Sequence, residues 1–306
     1  MYYLCNIINK NIIMKNNKKM ELYIDRWFDG LSFFKDDFAC IRLNGKHNFI
    51  NTKGDIVSEQ WFDFVDDFFD GFAEVRLNDK GWNFINTTGK LISDQWFDIV
   101  LGFEEGFAPV KLNGQGWNFI KPDGTYLTND WFDEVDKFYN GFAMVKLNDK
   151  WNYINTKGQI VSKQWFDNVY GFYADFAKIE LNSKWNFINL DGKLISDQWF
   201  DDIGFFTYGL ACVELNGKYN FINTDGKIIS NQWFDWVGRF DNGFVKVKLN
   251  NKWNFINTDG KIISNQWFDW VWDYCYGFAK VALNDKVSFI NKKGEIFKLN
   301  NKKIKN

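Results

Sequence analysis

Residues 233–266 read WFDWVGRFDNGFVKVKLNNKWNFINTDGKIISNQ, and this 34-residue stretch recurs, with substitutions, in eight successive copies. The interval is 34 residues except in two places, where an additional glycine, Gly81 or Gly116, makes it 35. A fixed period of this length is the signature of a tandem-repeat protein, in which each copy is one supersecondary unit. The copies begin with Trp-Phe-Asp at Trp27, Trp61, Trp96, Trp131, Trp165, Trp199, Trp233 and Trp267.

The pattern within one copy predicts β-structure. Val245, Val247 and Leu249 alternate with two lysines, which is the period of a half-buried strand. An Asn-Asn-Lys turn follows, then a returning strand over residues 253–257, and then a Thr-Asp-Gly-Lys turn. All eight copies have glycine in this second turn, which indicates a positive φ there. A short apolar strand at Ile262-Ile263 completes an all-β unit of three strands.

These motifs resemble the WG-repeat (KWG) family of tandem β-repeats, found mostly in bacteria. The resemblance rests on Gly-Phe-Ala-x-Val and Asn-x-Lys-Trp-x-Phe-Ile-Asn-x-x-Gly-Lys, and it extends over nearly all of residues 27–297. Where the family has Trp-Gly, five copies here have Trp-Asn, as at Trp253-Asn254, and three copies replace the tryptophan. Asparagine suits that position if the family's glycine is needed for its backbone conformation. The resemblance implies a repeat scaffold without established catalytic chemistry.

The repeats define three segments. Residues 27–298 hold the eight repeats, residues 1–26 form a basic head that we expect to be partly disordered, and residues 299–306 form a basic tail. A propeller blade of four strands usually needs about 40–50 residues, which is more than one repeat provides. We therefore expect an open solenoid or superhelix, and a closed eight-bladed ring is the alternative.

The aromatic content of the chain follows from the repeat. Of 306 residues, 62 are Phe, Tyr or Trp, which is too apolar for a disordered chain. No run approaches the roughly 18–20 apolar residues of a membrane span. Thirteen of the 16 tryptophans either begin Trp-Phe-Asp or precede Asn in the returning strand. The other three, Trp236, Trp270 and Trp272, occupy positions that vary between repeats.

Charge and cysteine content limit the partner and the compartment. Residues 1–20 and 296–306 hold eight lysines and no acid, which leaves 29 basic against 39 acidic residues in between. An acidic body argues against nucleic-acid binding. The four scattered cysteines and the absence of a classical signal sequence favour the cytoplasm over secretion. The true start is left open between Met1, Met14 and Met20.

No residue pattern points to catalysis, to a metal or to a cofactor. The single histidine, His47, stands where five other repeats have Trp, so we interpret it as a scaffold residue. Because the one histidine occupies a scaffold position, no Ser-His-Asp set is indicated, and the chain has no phosphate-binding glycine loop. The aspartate of each Trp-Phe-Asp offers a ladder of carboxylates, but one fixed acid per repeat is too few for a hard cation. We expect these aspartates to accept backbone N–H groups at turns.

Function is expected where the repeats differ. Trp236, Trp270 and Trp272 either form an exposed aromatic platform or cap the end of the array. A second candidate is a basic stripe on the Gly-Phe-Ala-x-Val strand, which serves either as a partner groove or as a solvated face. We predict a scaffold for an unidentified protein partner, and the alternative is a carbohydrate or cell-envelope binding module. The stripe consists of Arg42, Arg76, Lys111 and Lys146.

The open array can be tested by small-angle X-ray scattering. A compact globule of this length has a radius of gyration of about 19 Å. An open array of eight repeats should give a clearly larger value. A measurement close to that of the compact globule would contradict the open array.

Overall fold

The computed structural model describes residues 11–15, 18–22 and 27–297. The strands Asn11–Lys15 and Lys18–Leu22 pair as an antiparallel hairpin within the predicted head. The remainder of that head and the predicted basic tail lie outside the described residues. All regular structure in the described chain is β-strand, which confirms the predicted all-β class.

Each of the eight repeats forms one antiparallel sheet of three strands in sequential order. The first strands are Gly30–Leu31, Phe64–Val65, Ile99–Val100, Glu134–Val135, Asn168–Val169, Asp202–Ile203, Trp236–Val237 and Trp270–Val271. The second strands are Phe38–Leu43, Phe72–Leu77, Ala108–Leu112, Phe142–Leu147, Phe176–Leu181, Leu210–Leu215, Phe244–Leu249 and Phe278–Leu283. The third strands are Lys46–Asn51, Gly81–Asn86, Gly116–Ile120, Lys150–Asn155, Lys184–Asn189, Lys218–Asn223, Lys252–Asn257 and Lys286–Asn291. The last repeat adds a fourth strand, Ile296–Phe297.

The three strands are not all where the sequence placed them. Ile262 makes only a single bridge to Ile256, so the short strand predicted at Ile262-Ile263 does not form in this repeat. The missing strand is instead Trp236–Val237, which pairs with the second strand. A strand of two residues is too short to show a period in sequence, which is why the pattern did not reveal it.

The chain divides into two compact units, Met1–Val161 and Ser162–Asn306. The first unit contains the sheets of repeats one to four, and the second contains those of repeats five to eight. Each unit therefore holds four consecutive repeat sheets.

The hairpin turns explain the asparagine-rich sequence between the second and third strands. Asn250 and Asn251 have φ values of 49° and 62°, so this two-residue loop has the geometry of a type I′ turn. Asparagine adopts positive φ more readily than most residues, which accounts for its presence here. The extra Gly81 extends the loop by one residue at φ 107°, and a Cβ there would lie 2.4 Å from the carbonyl oxygen of Phe97. The insertion therefore has to be glycine.

The glycine of the second turn sets how closely successive repeats approach. Gly260 has a φ of 75°, as predicted, and a Cβ built on it would lie 1.8 Å from the carbonyl oxygen of Ile229 in the preceding repeat. Gly226 meets Ile195 at the same distance. Glycine is thus required both for its backbone conformation and because the backbone of the neighbouring repeat occupies the space of a side chain.

The hydrophobic core lies between repeats, because within each unit a sheet buries one face against the sheet of the repeat before it. Phe221 of the sixth repeat packs with Phe234, Val245, Val247 and Ile256 of the seventh. The same arrangement recurs with Phe187 in front of the sixth repeat and Phe255 in front of the eighth. A single sheet of 34 residues has no second layer of its own, so its neighbour supplies that layer.

An aromatic contact repeats along the core. Tyr274 of the eighth repeat packs between Phe244 and Phe255 of the seventh, with ring centroids 4.9 and 4.7 Å apart. Rings at such distances and tilts gain about 0.5–1.5 kcal/mol per pair beyond the area they bury. The equivalent residues are Phe68 on Phe38 and Phe49, Phe103 on Phe72 and Phe84, Phe138 on Phe107 and Phe119, and Phe206 on Phe176 and Phe187.

The spacing of repeats predicts a difference between two glycines of the same repeat. Gly260→Ala should cost at least about 2 kcal/mol more in unfolding free energy than Gly243→Ala, as expected for a backbone clash. Gly243 has a φ of 85° but no atom within 4 Å of its added Cβ, so it reports the cost of positive φ alone. Urea unfolding of the two variants measures the difference. Equal destabilisation would show that repeat contact does not require this glycine.

Candidate binding site

The asparagine of the Trp-Asn pair belongs to the framework of the repeat. Asn254 is fully buried, and its amide donates to the carbonyl oxygens of Ser264 at 2.7 Å and Gln266 at 3.2 Å. Its Oδ1 accepts the N–H of Phe255 at 2.8 Å. The residue does not have a positive φ, so backbone conformation does not explain the asparagine at this position. It is retained because its amide satisfies buried backbone groups.

The aspartate of Trp-Phe-Asp is also a structural residue. Asp235 accepts the turn N–H of Asn250 at 2.6 Å, and its other oxygen pairs with Lys218 of the preceding repeat. This lysine and the turn N–H hold the pKa of Asp235 below its usual value. The predicted turn role is thus observed. The same bond joins Asp29 to Asn44, Asp63 to Asn78, Asp98 to Asn113, Asp133 to Asn148, Asp167 to Asn182, Asp201 to Asn216 and Asp269 to Asn284.

Unlike these framework residues, one line of side chains across each sheet contains positions that differ between repeats. We name it the variable row: the first-strand residue three positions after the motif tryptophan, its partner on the second strand, and that residue's partner on the third. In the seventh repeat the row is Trp236, Lys248 and Trp253. In the sixth it is Asp202, Glu214 and Tyr219.

The variable row includes two of the candidate sites that the sequence presented as separate. Trp236 and Trp270 are its first-strand residues in repeats seven and eight. The second-strand residues in repeats one to four are the four members of the basic stripe, Arg42, Arg76, Lys111 and Lys146. Sequence reasoning missed the connection because the first strand had not been placed.

The basic stripe is paired with aromatic rings of its own row. Arg76 lies 5.6 Å from the ring centroid of Trp82, and Lys111 and Lys146 lie at the same distance from the third-strand tryptophans of their repeats. Lys146 also forms an ion pair with Glu134 at 2.8 Å. Arg42 lies opposite His47, which replaces the tryptophan. Three of the four residues of the stripe therefore form cation–π pairs within their own repeats.

In the last two repeats the first-strand residue of the row is a tryptophan. Trp253 has ring centroids 5.3 Å away on both sides, from Trp236 of its own repeat and from Trp270 of the next. Trp236 and Trp270 are 42% and 56% exposed. Trp272 lies outside the row, two residues after Trp270. It is 43% exposed, and Lys280 Nζ lies 4.7 Å from its ring centroid. Exposed tryptophans in such a contiguous line are suited to binding.

A cavity of about 850 Å³ opens beside Trp236 in the second unit. Its lining also includes Tyr208, Gly238, Arg239 and Lys246. This volume falls within the roughly 300–1,000 Å³ of small-ligand sites. The sequence analysis did not identify it, because its walls come from three successive repeats.

A smaller cavity of about 330 Å³ lies in the first unit and is bordered by Glu74, Phe72 and Lys137. Burial of the Glu74 carboxyl, and then the charge of Asp66, raise its pKa to about 7, although Lys137 opposes the shift. Glu74 is thus half-protonated near neutral pH. This titration links the stability of the first unit to pH.

Among the residues described, no group of three or more His, Cys, Asp or Glu side chains is placed to hold a metal ion. None of them forms a helix long and apolar enough to cross a membrane. Cys212 lies against the repeat core, where burial raises its thiol pKa to about 11 and keeps it protonated.

These features define a tandem β-repeat protein with a constant framework. A model of the WG containing repeat matches seven segments, at residues 49–80, 82–115, 132–151, 153–185, 187–219, 221–253 and 255–286. The segments cover more than half of the chain, so it belongs to this family.

Other comparisons add little. None of the curated proteins matches the chain in sequence. The computationally designed Ika8 protein is 10% identical over 88% of this chain and 98% of its own, with a TM-score of 0.31. BamB from Moraxella catarrhalis is 9% identical over 85% and 95%, with a TM-score of 0.30. Kluyveromyces lactis Hsv2 is 10% identical over 72% and 89%, with a TM-score of 0.32. Scores this low support no inference.

The pKa of Glu74 predicts how stability depends on pH. Because the folded pKa is raised from 4.5 to about 7, the stability is fully present below pH 4.5 and is lost as pH rises through about 7. Glu74→Gln should remove this loss and be more stable than wild type by about 1–2 kcal/mol at pH 8, allowing for solvent screening.

Urea unfolding at pH 5 and pH 8 measures the effect. Glu59→Gln, at an exposed position of the same unit, is the matched control and should follow wild type. An identical pH dependence for wild type and Glu74→Gln would contradict the prediction.

Proposed function

We propose that this protein is a non-catalytic repeat scaffold that binds other proteins through the variable row. The observation that carries the proposal is the contrast between positions of the repeat. The framework asparagines and aspartates make the same contacts in repeat after repeat. The first position of the row, by contrast, is Phe64, Glu134 or Trp236 in different repeats. A constant framework with a varied surface is how repeat proteins present binding sites.

The character of the row supports a protein partner. Three of its four cationic residues in the first unit, Arg76, Lys111 and Lys146, lie over tryptophan rings, which combines charge with apolar area. In the second unit, Trp236 and Trp270 are exposed on either side of Trp253. Tryptophan and arginine are among the residues most enriched at positions that carry the binding energy of protein interfaces.

Carbohydrate binding is the second candidate function. It is favoured by the exposed faces of Trp236, Trp270 and Trp272 together with the cavity beside Trp236. An indole ring offers an apolar surface on which a sugar ring stacks, and the polar groups of the cavity, such as Asp241 and Asn242, would bind hydroxyls.

Affinity capture from native cell extract, followed by measurement of Kd with the purified partner, tests the first candidate. The double variant Trp236→Ala/Trp270→Ala should weaken binding at least about tenfold, because each ring is a hot-spot residue. The control is Tyr139→Ala/Tyr173→Ala, which removes two exposed rings that lie outside the row.

Equal affinity of wild type and the double tryptophan variant for the captured protein would contradict the variable-row site. A polysaccharide pull-down provides the comparison with the second candidate. Retention of a glycan by wild type and its loss from the triple variant Trp236→Ala/Trp270→Ala/Trp272→Ala would favour the carbohydrate function.

A further inference from the structure

A small group of side chains recurs next to the variable row, and we name it the slot. It contains the residue directly after the first strand, five positions after the motif tryptophan, the second-strand residue whose carbonyl oxygen accepts its backbone N–H, and a residue of the following repeat six positions after that repeat's tryptophan. In the fifth repeat the slot is Tyr170, Lys178 and Phe205. In the seventh it is Gly238, Lys246 and Asp273.

Where the slot contains a lysine and an aromatic residue, the ring covers the ammonium group. Lys178 Nζ lies 5.5 Å from the ring centroid of Tyr170, 5.0 Å from that of Trp185 and 4.9 Å from that of Phe205. In the eighth repeat, Lys280 Nζ lies 4.7 Å from the ring centroid of Trp272. These distances are those of cation–π contacts. Two repeats of this chain thus place an aromatic ring over the slot lysine.

In the seventh repeat the slot contains the lysine but no aromatic residue. Gly238 stands where Tyr170 and Trp272 stand in the other two repeats, so the space of the ring is part of the cavity of about 850 Å³. Lys246 lines that cavity and is held by an ion pair with Asp273 at 2.8 Å. A Cβ on Gly238 would lie 3.2 Å from Cη2 of Trp236, so the indole of Trp236 forms a wall of the same space.

We propose that this cavity binds the aromatic side chain of a partner protein, an indole or a phenol ring, placed where Tyr170 and Trp272 lie in the sister repeats. The ring would contact Lys246 through its face and Trp236 along its side. Arg239 at the cavity lining provides a second cation for the ring or for a carboxylate beside it. The inference rests on the proposed function and identifies the part of the partner that enters this protein.

Ring binding is tested with 5-fluoroindole and the full chain, by the broadening of its ¹⁹F resonance. Gly238→Trp rebuilds the arrangement of the eighth repeat and should abolish binding by filling the cavity. Lys246→Met keeps the length of the side chain without its charge and should weaken binding about three- to tenfold. Gly171→Trp is the matched control, since it adds a tryptophan at an open position outside the cavity and should bind as wild type does.

Unchanged broadening with Gly238→Trp overturns the proposal, and so does equal affinity of Lys246→Met and wild type. Since Lys246→Met creates no void, it decides the question even if Gly238→Trp unfolds, which thermal unfolding would reveal. The captured partner distinguishes this inference from the proposed function. If Gly238→Trp still binds the partner, only the inference fails. If wild type captures no protein, the proposed function fails, and with it the assignment of the ring to a protein.

Discussion

The whole array depends on the contact between the back of one sheet and the front of the sheet before it. A repeat of 34 residues forms one small sheet, and a single sheet cannot bury either face without a second layer. Tyr274 between Phe244 and Phe255 shows how the preceding repeat supplies that layer. The close approach of Gly260 to Ile229 fixes the distance at which the contact occurs. Stability in such a chain is a property of neighbouring pairs of repeats.

Polar groups make this contact specific. Burying a sheet between two others also buries the backbone of the linking segment, and each unpaired group would cost about 1–3 kcal/mol. Asn254 satisfies the carbonyl oxygens of that segment, and Asp235 satisfies the turn N–H while holding a lysine of the preceding repeat. The polar side chains that the repeats share are engaged in these hydrogen bonds, so few shared polar groups remain to bind a ligand. The proposed binding surface consequently consists of residues that vary.

The variable row and the slot lie side by side in each repeat, and both follow from how the first two strands pair. Trp270 lies in the first strand of the eighth repeat and Trp272 comes two residues later, directly after that strand, so the two belong to neighbouring lines of side chains. The row faces solvent, while the slot lies between a repeat and the one that follows it. A substitution in the row therefore changes a surface, whereas a glycine in the slot opens a cavity. In the seventh repeat, Gly238 and Trp236 both line such a cavity. In the eighth repeat, Trp272 stands at the position of Gly238.

The period, the β-pattern and the glycine turns were sufficient to predict eight three-stranded repeats, because period-two alternation and positive φ are local properties written in residues such as Val245 and Gly260. The first strand at Trp236–Val237 could not be predicted, since two residues carry no period and their pairing is set by a partner on the second strand. The sequence likewise isolated Trp236 and Trp270 as exceptions to the repeat. Only the tertiary structure decided that Trp236 and Trp270 belong to the variable rows of their repeats, as Arg42 and Lys146 belong to those of theirs, and that Asn254 is a buried hydrogen-bonding group. Those facts depend on which strands and which repeats lie side by side.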